Sequence, residues 1–240
     1  MIQPMKTRGG VFGVAMVAAL ILLFPGAVSA GPAPPPPAVT ITADDSCCEF
    51  DLDFYEQSRG EVATFENPAG ADAPHNVVST VRGPDGGPLF RSETIAAGST
   101  SPVEGTQYLD DGLYPFYCTL HGSGMSGELE ISPLGVALPR PAVKAVIAPQ
   151  SLRGIRRSGI VRVSLRAVTG SPAVNLELKS GPLAAAYAGG IKLGSGSTRV
   201  VSLRLNRAGR KAVSKGRQAV LSVRASVAFG SPASAKRTVR

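Results

Sequence analysis

The chain of 240 residues is long enough to form two ordinary domains that each bury a core. It contains only two histidines, which excludes enzymes that reduce oxygen at several histidine-rich copper centres. Its net charge of +8 hides an uneven distribution, because residues 38–134 carry sixteen acidic against three basic side chains, whereas residues 135–240 carry twenty basic against one acidic. The sequence therefore predicts an acidic module followed by a basic one, and the opposite charges allow the modules to dock on each other or to attract different partners.

Residues 1–30 have the pattern of a secretory signal peptide. Lys6 and Arg8 precede an apolar run, and the run is followed by a small-residue cleavage site that ends at Ala30. The run is too short to span a bilayer comfortably, and no second apolar span follows it. We therefore predict cleavage near Ala30, no transmembrane span in the mature chain, and export to the periplasm, the cell envelope or the medium. An uncleaved anchor is the alternative.

The next part of the chain predicts a linker and then a β-sheet module. Residues 31–37 are rich in proline, which indicates an extended linker. Residues 38–134 alternate short strand-like runs with turns of Gly, Pro, Asn and Asp, as is typical of an all-β sandwich or barrel. We predict strands near residues 38–43, 49–55, 60–66, 75–82, 88–94, 101–108, 112–119 and 127–132.

Two adjacent cysteines, Cys47 and Cys48, lie in this module. A disulfide between neighbouring residues closes a small strained ring, far from ordinary disulfide geometry. A vicinal disulfide, two free thiols and pairing with another chain therefore all stay open, and neither cysteine is assigned to a metal.

A metal site is predicted near the end of the module. Cys118, His121 and Met125 lie within eight residues on a glycine-containing loop, and His75 is the other histidine of the chain. Two His and one Cys with a weak axial Met form the ligand set of an electron-transfer copper site. Structural zinc prefers sets without a thioether, and a Cys–His nucleophile pair would lack the group that orients the base. We therefore predict one copper ion held by these four side chains, and a protein that is not an enzyme.

The same stretch resembles the cupredoxin family, which includes plastocyanin, pseudoazurin, amicyanin and azurin. The resemblance covers roughly residues 38–134. It is carried by the Gly-x-Tyr-x-x-Tyr-Cys run that begins at Gly112 and by the Met-x-Gly exit of the loop, which ends at Gly127. It implies a cupredoxin-like eight-stranded Greek-key β-sandwich with one type 1 (blue) copper.

The resemblance also implies roles for the residues around the metal. His75 is expected behind the loop, and His121 is expected at the surface, where a redox protein partner would dock. Asn76 matches a position whose side chain joins the two ligand-bearing segments, with Thr119 as its partner. Bonds of this kind orient ligands and tune a metal centre.

The second module, residues 143–240, follows a predicted linker at residues 135–142, where the charge changes sign. It resembles the basic immunoglobulin-like β-sandwich modules of bacterial exported proteins. It has no histidine, no cysteine and one carboxylate, so it offers no catalytic constellation. We predict strands at 143–147, 159–168, 173–178, 200–205 and 219–228, with one or two helical turns at 206–216.

The basic charge of the second module predicts partners. Anionic polymers of the cell envelope and the acidic module itself are both candidates, whereas specific nucleic-acid binding is not expected because no aromatic stacking platform accompanies the charge. Electron transfer by the copper is the favoured function. The alternatives are an envelope copper carrier or buffer without electron transfer, and a surface-attachment protein with a secondary copper site.

Overall fold

A computed structural model of the protein describes residues 38–45 and 48–240. The predicted signal peptide, the proline-rich linker and Cys47 lie outside these residues. Most of the regular elements in the described part of the chain are strands, which confirms the predicted all-β class. Its buried apolar side chains form two separate clusters, one within residues 41–131 and one within residues 143–239.

The first module, which contains the acidic residues, has two sheets. Its strands, in chain order, are β1 (Thr40–Thr42), β2 (Phe54–Arg59), β3 (Ala63–Asn67), β4 (Val78–Ser79), β5 (Ser99–Val103), β6 (Gly112–Cys118) and β7 (Gly122–Gly135). One sheet has the order β1-β3-β5 and the other the order β2-β7-β6-β4. The parallel pairing of β2 with β7 and of β1 with β3 requires connections that cross between the sheets, as in a Greek-key sandwich.

Several of the eight predicted strands differ from those observed, and the described part of the first module has seven. The strand predicted at 75–82 is reduced to Val78–Ser79, and the strand predicted at 101–108 ends at Val103, before a short 3-10 turn. The strand predicted at 49–55 begins only at Phe54, because the preceding residues form a turn in which Cys48 has a φ of 89°. The strand predicted at 88–94 is replaced by isolated bridges from Pro88 and Arg91. Pro88 cannot donate a ladder hydrogen bond, and it follows two glycines, so a continuous strand does not form there.

The core of the first module is built around Phe116. Alternate residues of a strand point to opposite faces of its sheet, and Phe116 faces inward with 1% of its surface exposed. Its ring centroid lies 5.0 Å from that of Phe50, 6.0 Å from that of Tyr55 and 6.4 Å from that of Phe90. Two residues later on the same face, Cys118 is fully buried. The aromatic core and the predicted copper ligand therefore share one strand.

The second module is a sandwich of two sheets with two short helices. Its elements are β8 (Ala142–Ile147), α1 (Leu152–Ser158), β9 (Ile160–Thr169), β10 (Ala173–Ser180), β11 (Leu183–Lys192), β12 (Thr198–Arg204), α2 (Arg207–Ser214), β13 (Ala219–Val227) and β14 (Ala233–Val239). The sheets have the orders β12-β9-β8 and β11-β10-β13-β14. Helix α2 lies where one or two helical turns are predicted. In the described part of the chain, no helix is long and apolar enough to cross a membrane.

The two modules contact each other at the turn between β13 and β14. The backbone N–H of Phe229 donates to Asp85 Oδ2 at 2.9 Å, and Arg140 Nη1 donates to the Phe229 carbonyl at 3.2 Å. The Phe229 ring is 6.2 Å from the Tyr108 ring, and the Arg91 guanidinium lies 5.4 Å from its centroid. We call these five residues the joint. The two modules therefore contact each other through these residues.

Candidate metal centre

The loop between β6 and β7 carries most of the candidate ligands. Cys118 is the last residue of β6, and a tight turn follows in which His121 donates its backbone N–H to the Cys118 carbonyl at 3.2 Å. Gly122 begins β7 with a φ of 60°, a left-handed conformation that suits glycine. The chain then returns along β7 and buries Met125 completely. The short turn thus brings a thiol, an imidazole and a thioether to one end of the sheet.

His75 reaches the same place from a different part of the chain. It forms a two-way backbone bridge with Ile95, with N–O distances of 3.1 and 3.0 Å, and its side chain is fully buried. Its Nδ1 atom lies 3.8 Å from Cys118 Sγ. Its ring centroid lies 4.8 Å from that of His121. A residue 43 positions earlier in the sequence is therefore in contact with the loop.

His75, Cys118 and His121 form a compact cluster of possible donor atoms. One nitrogen or sulfur atom from each residue lies within 4.8 Å of the others. The first two residues are buried and His121 is partly exposed. Met125, the predicted fourth ligand, is buried in the same apolar cluster as Cys118. The thiol of Cys118 is free.

The hydrogen bonding of the two histidines is incomplete. His75 Nε2 and His121 Nδ1 are buried without a hydrogen-bond partner among the described residues. Burial, and then the charge of His121, lowers the pKa of His75, so its neutral imidazole is favoured. The neutral imidazole is the form that binds a metal, and the His75 nitrogen next to the Cys118 thiol is Nδ1. A buried ring nitrogen without a partner, such as His121 Nδ1, is unfavourable unless something coordinates it. The donor set therefore fits a soft transition metal, and with the buried thioether it fits one type 1 copper ion.

Asn76 and Thr119 connect the two segments that carry the cluster. Asn76 Oδ1 accepts from the Thr119 backbone N–H at 2.9 Å, and Asn76 Nδ2 lies 2.8 Å from Thr119 Oγ1. The contact implied by the resemblance to cupredoxins is therefore present. Asn76 Nδ2 also donates to Thr94 Oγ1 at 2.8 Å. Thr94 is missing from the sequence prediction because nothing in its local pattern points to Asn76.

The structure settles part of the question about the adjacent cysteines. Cys48 is disulfide-bonded, so it is not a free thiol. Cys118 is the free cysteine of the described residues. This is consistent with the prediction that Cys48 is not a metal ligand, because a disulfide sulfur is not the thiolate that binds metal.

We expect Asn76→Ala to weaken copper retention. The change leaves the Thr119 backbone N–H without its partner and uncouples His75 from the loop, and loss of such a supporting bond typically lowers metal affinity by about 10–100-fold. Competition with a chelator, followed through the copper absorption, measures the effect. Thr94→Val is the matched control, because it removes only the bond from Asn76 to Thr94 and should have a smaller effect. Equal losses in the two variants would contradict a specific role for the contact with Thr119.

Comparison with known proteins finds solved structures that resemble part of this chain. No protein-family model matches the sequence, and no curated protein matches it. Among solved structures, auracyanin B is 20% identical at a TM-score of 0.35, covering 42% of this chain and 91% of that one. Auracyanin A, described as a "blue" copper protein from Chloroflexus aurantiacus, is 20% identical at a TM-score of 0.33, covering 40% and 100%. Reduced auracyanin from Roseiflexus castenholzii is 19% identical at a TM-score of 0.34, covering 42% and 100%. Because these scores are low, we base the copper assignment on the side chains described above.

Proposed function

We propose that this is an exported type 1 copper protein that binds one copper ion through His75, Cys118, His121 and Met125 and passes single electrons. The observation that carries the proposal is the grouping of two imidazoles and a free buried thiol within 4.8 Å, with two ring nitrogens left unpaired. Bound copper would supply one-electron chemistry by alternating between Cu(II) and Cu(I).

The chain contributes a fixed and water-excluding set of donors. Cys118 and Met125 are held by paired strands, and the Asn76–Thr119 contact ties His75 to the loop. Complete burial of His75, Cys118 and Met125 keeps water from these donors. A cage that is held in place by its surroundings does not have to rearrange when the oxidation state changes, and this favours rapid electron transfer.

The electron is proposed to enter and leave at His121. His121 is partly exposed, whereas His75 is fully buried. Leu120, beside it, exposes 53% of its surface. A small apolar surface around a partly exposed ligand suits a weakly bound redox protein, because interfaces of electron-transfer complexes are at the small end of the range.

The parts of the chain outside the copper site have proposed roles in export and attachment. The predicted signal peptide would export the protein, with cleavage near Ala30. The basic second module would attach the protein to anionic polymers of the cell envelope. A single type 1 copper passes one electron at a time, so the protein would act as a carrier and not as an enzyme.

Protein-film voltammetry combined with copper exchange tests the electron-transfer function. We expect one reversible one-electron wave and slow loss of copper to a competing chelator. Rapid copper exchange without a reversible wave would contradict the proposal and favour a copper carrier or buffer. Tight envelope binding by a protein without a reversible wave would favour a surface-attachment protein with a secondary copper site.

We expect Met125→Leu to retain copper and raise the reduction potential. Leucine conserves the buried volume, so stability should change by less than about 1.5 kcal/mol. Loss of the axial donor disfavours Cu(II) more than Cu(I), and each tenfold change in their relative binding corresponds to about 59 mV. Voltammetry measures the shift. Leu129→Met, a similar exchange in the core farther along β7, is the control and should leave the potential unchanged.

A further inference from the structure

Several exposed basic side chains lie on the outer face of one sheet of the second module. In β9 the side chains of Val161, Val163 and Leu165 are fully buried, so the intervening residues point outward. The neighbouring strands β8 and β12 add to the same outer surface. We call this surface the β9 face and define it by its exposed basic residues Lys144, Arg162, Arg166 and Arg204.

The register of the strands places like charges next to each other on the β9 face. Lys144 of β8 lies directly opposite Arg166 of β9. Arg204 of β12 lies opposite Ile160, and is therefore a diagonal neighbour of Arg162. Like charges directly opposite each other, as in the pair of Lys144 and Arg166, destabilise a sheet. The two basic pairs lie about 13 Å apart along β9. Neither pair is expected to stabilise the folded sheet.

No acidic side chain lies on the β9 face to balance its positive charge. The one carboxylate side chain of the second module, Glu177, lies in the other sheet, where it pairs with Lys179 at 3.3 Å. The other ion pair found among residues 38–45 and 48–240 joins Arg59 to Asp111 in the first module. Ordinary protein surfaces intersperse both signs of charge, so an uncompensated row of this kind points to an external anion.

We propose that the β9 face binds a linear polymer with repeated anionic groups along the direction of the strands. The inference deepens the attachment role proposed above and rests on it, but it does not depend on the copper chemistry. The basic pairs follow one strand on an open surface, which suits an extended chain. Arginine presents a planar fork of donors that fits phosphate and carboxylate groups alike.

The β9 face and the copper ligands belong to different modules. The basic residues of the β9 face lie in strands of the second module, whereas His75, Cys118, His121 and Met125 lie in the first. Binding of a polymer to the β9 face is therefore expected to leave the copper ligands in place.

Binding of the copper-loaded mature chain to two probes tests the proposal. The probes are long-chain polyphosphate and polygalacturonate, which distinguish phosphate from carboxylate groups. The test variant is Lys144→Gln/Arg162→Gln/Arg166→Gln. The matched control is Lys192→Gln/Arg224→Gln/Lys236→Gln, which removes the same charge from exposed positions of the other sheet. Thermal unfolding of each variant verifies that both remain folded.

We expect the test variant to lose about tenfold or more in affinity for at least one probe, and the control about threefold or less. The slope of log affinity against log salt should fall by about three in the test variant, since each lost contact to an anionic group releases about one fewer counterion. Bound polymer should leave the rate at which a small reductant bleaches the copper band unchanged.

Several results would overturn the inference. Equal losses in the two variants would mean that net charge, and not the β9 face, governs binding. Stronger binding to anionic lipid vesicles than to either polymer would identify a membrane surface as the partner. Salt-sensitive self-association that the test variant abolishes would identify the acidic module of a second copy. Absence of binding by the unmodified protein would overturn the attachment role as well, and would leave the proposed electron transfer untouched.

Discussion

Replacing Cys118 with serine is expected to abolish the intense blue absorption of the copper-loaded protein. The thiolate is the ligand that distinguishes a blue copper site from one made of imidazole and oxygen, and a serine hydroxyl cannot replace its covalent, polarisable bond to copper. Cys118 is fully buried at the end of β6, so the hydroxyl would occupy the same space. A buried hydroxyl without a good partner costs about 1–3 kcal/mol, which lowers stability without preventing folding.

Thr119→Ser is the matched control for this variant. It alters the next residue but keeps the hydroxyl and the backbone N–H that contact Asn76. The control should therefore stay blue, and its copper affinity should change little. A Cys118→Ser protein that binds copper and remains blue would show that the ligand assignment is wrong.

Replacing Phe116 with alanine is expected to destabilise the first module by about 3–5 kcal/mol. The side chain fills the centre of the core, in edge-on contact with Phe50 and Phe90, and its ring lies directly against Gly127. Chemical denaturation with circular dichroism measures the loss. Because the second module has a separate core, its unfolding should move far less than that of the first.

Leu113→Ala provides the comparison within the same strand. Leu113 exposes 52% of its surface, so its truncation should cost less than about 1 kcal/mol. A Phe116→Ala variant that unfolds at the same denaturant concentration as Leu113→Ala would contradict the central place of Phe116 in the core.

The candidate site was largely predictable because its residue types are rare and specific. With two histidines in the chain, a Cys-x-x-His-x-x-x-Met loop leaves His75 as the only further imidazole. The structure brings His75, Cys118 and His121 together as predicted, and this set of donors fits a copper ion. Thr94 was not predictable, because its contact with Asn76 depends on a loop that returns to the site from 18 residues away.

The fold was predicted better as a class than element by element. Strands with clear alternation, such as β9 and β13, lie where the sequence places them. Strand β11 is missing from the prediction because its alanines and glycines have low strand propensity, and it forms through pairing with β10. Helix α1 is missing because it is a short segment, held by its Ser151 cap.

The joint was only partly predictable from the sequence, because one of its residues has an unusual position and the others do not. Phe229 is the only phenylalanine after residue 116, and it lies at a turn before Gly230. It has a φ of 60° and is nevertheless buried, with 5% of its surface exposed. An isolated large aromatic residue at a turn indicates a contact surface, but its partners Asp85 and Tyr108 lie more than 100 residues earlier, and no local pattern connects them.

The visible spectrum of the purified mature chain is the most direct test of the copper assignment. One equivalent of Cu(II) is added, followed by a reductant and then an oxidant. We expect an intense blue band that bleaches on reduction and returns on oxidation. Bound copper with only a pale band, or a blue band that does not return, would contradict a type 1 site built from His75, Cys118, His121 and Met125.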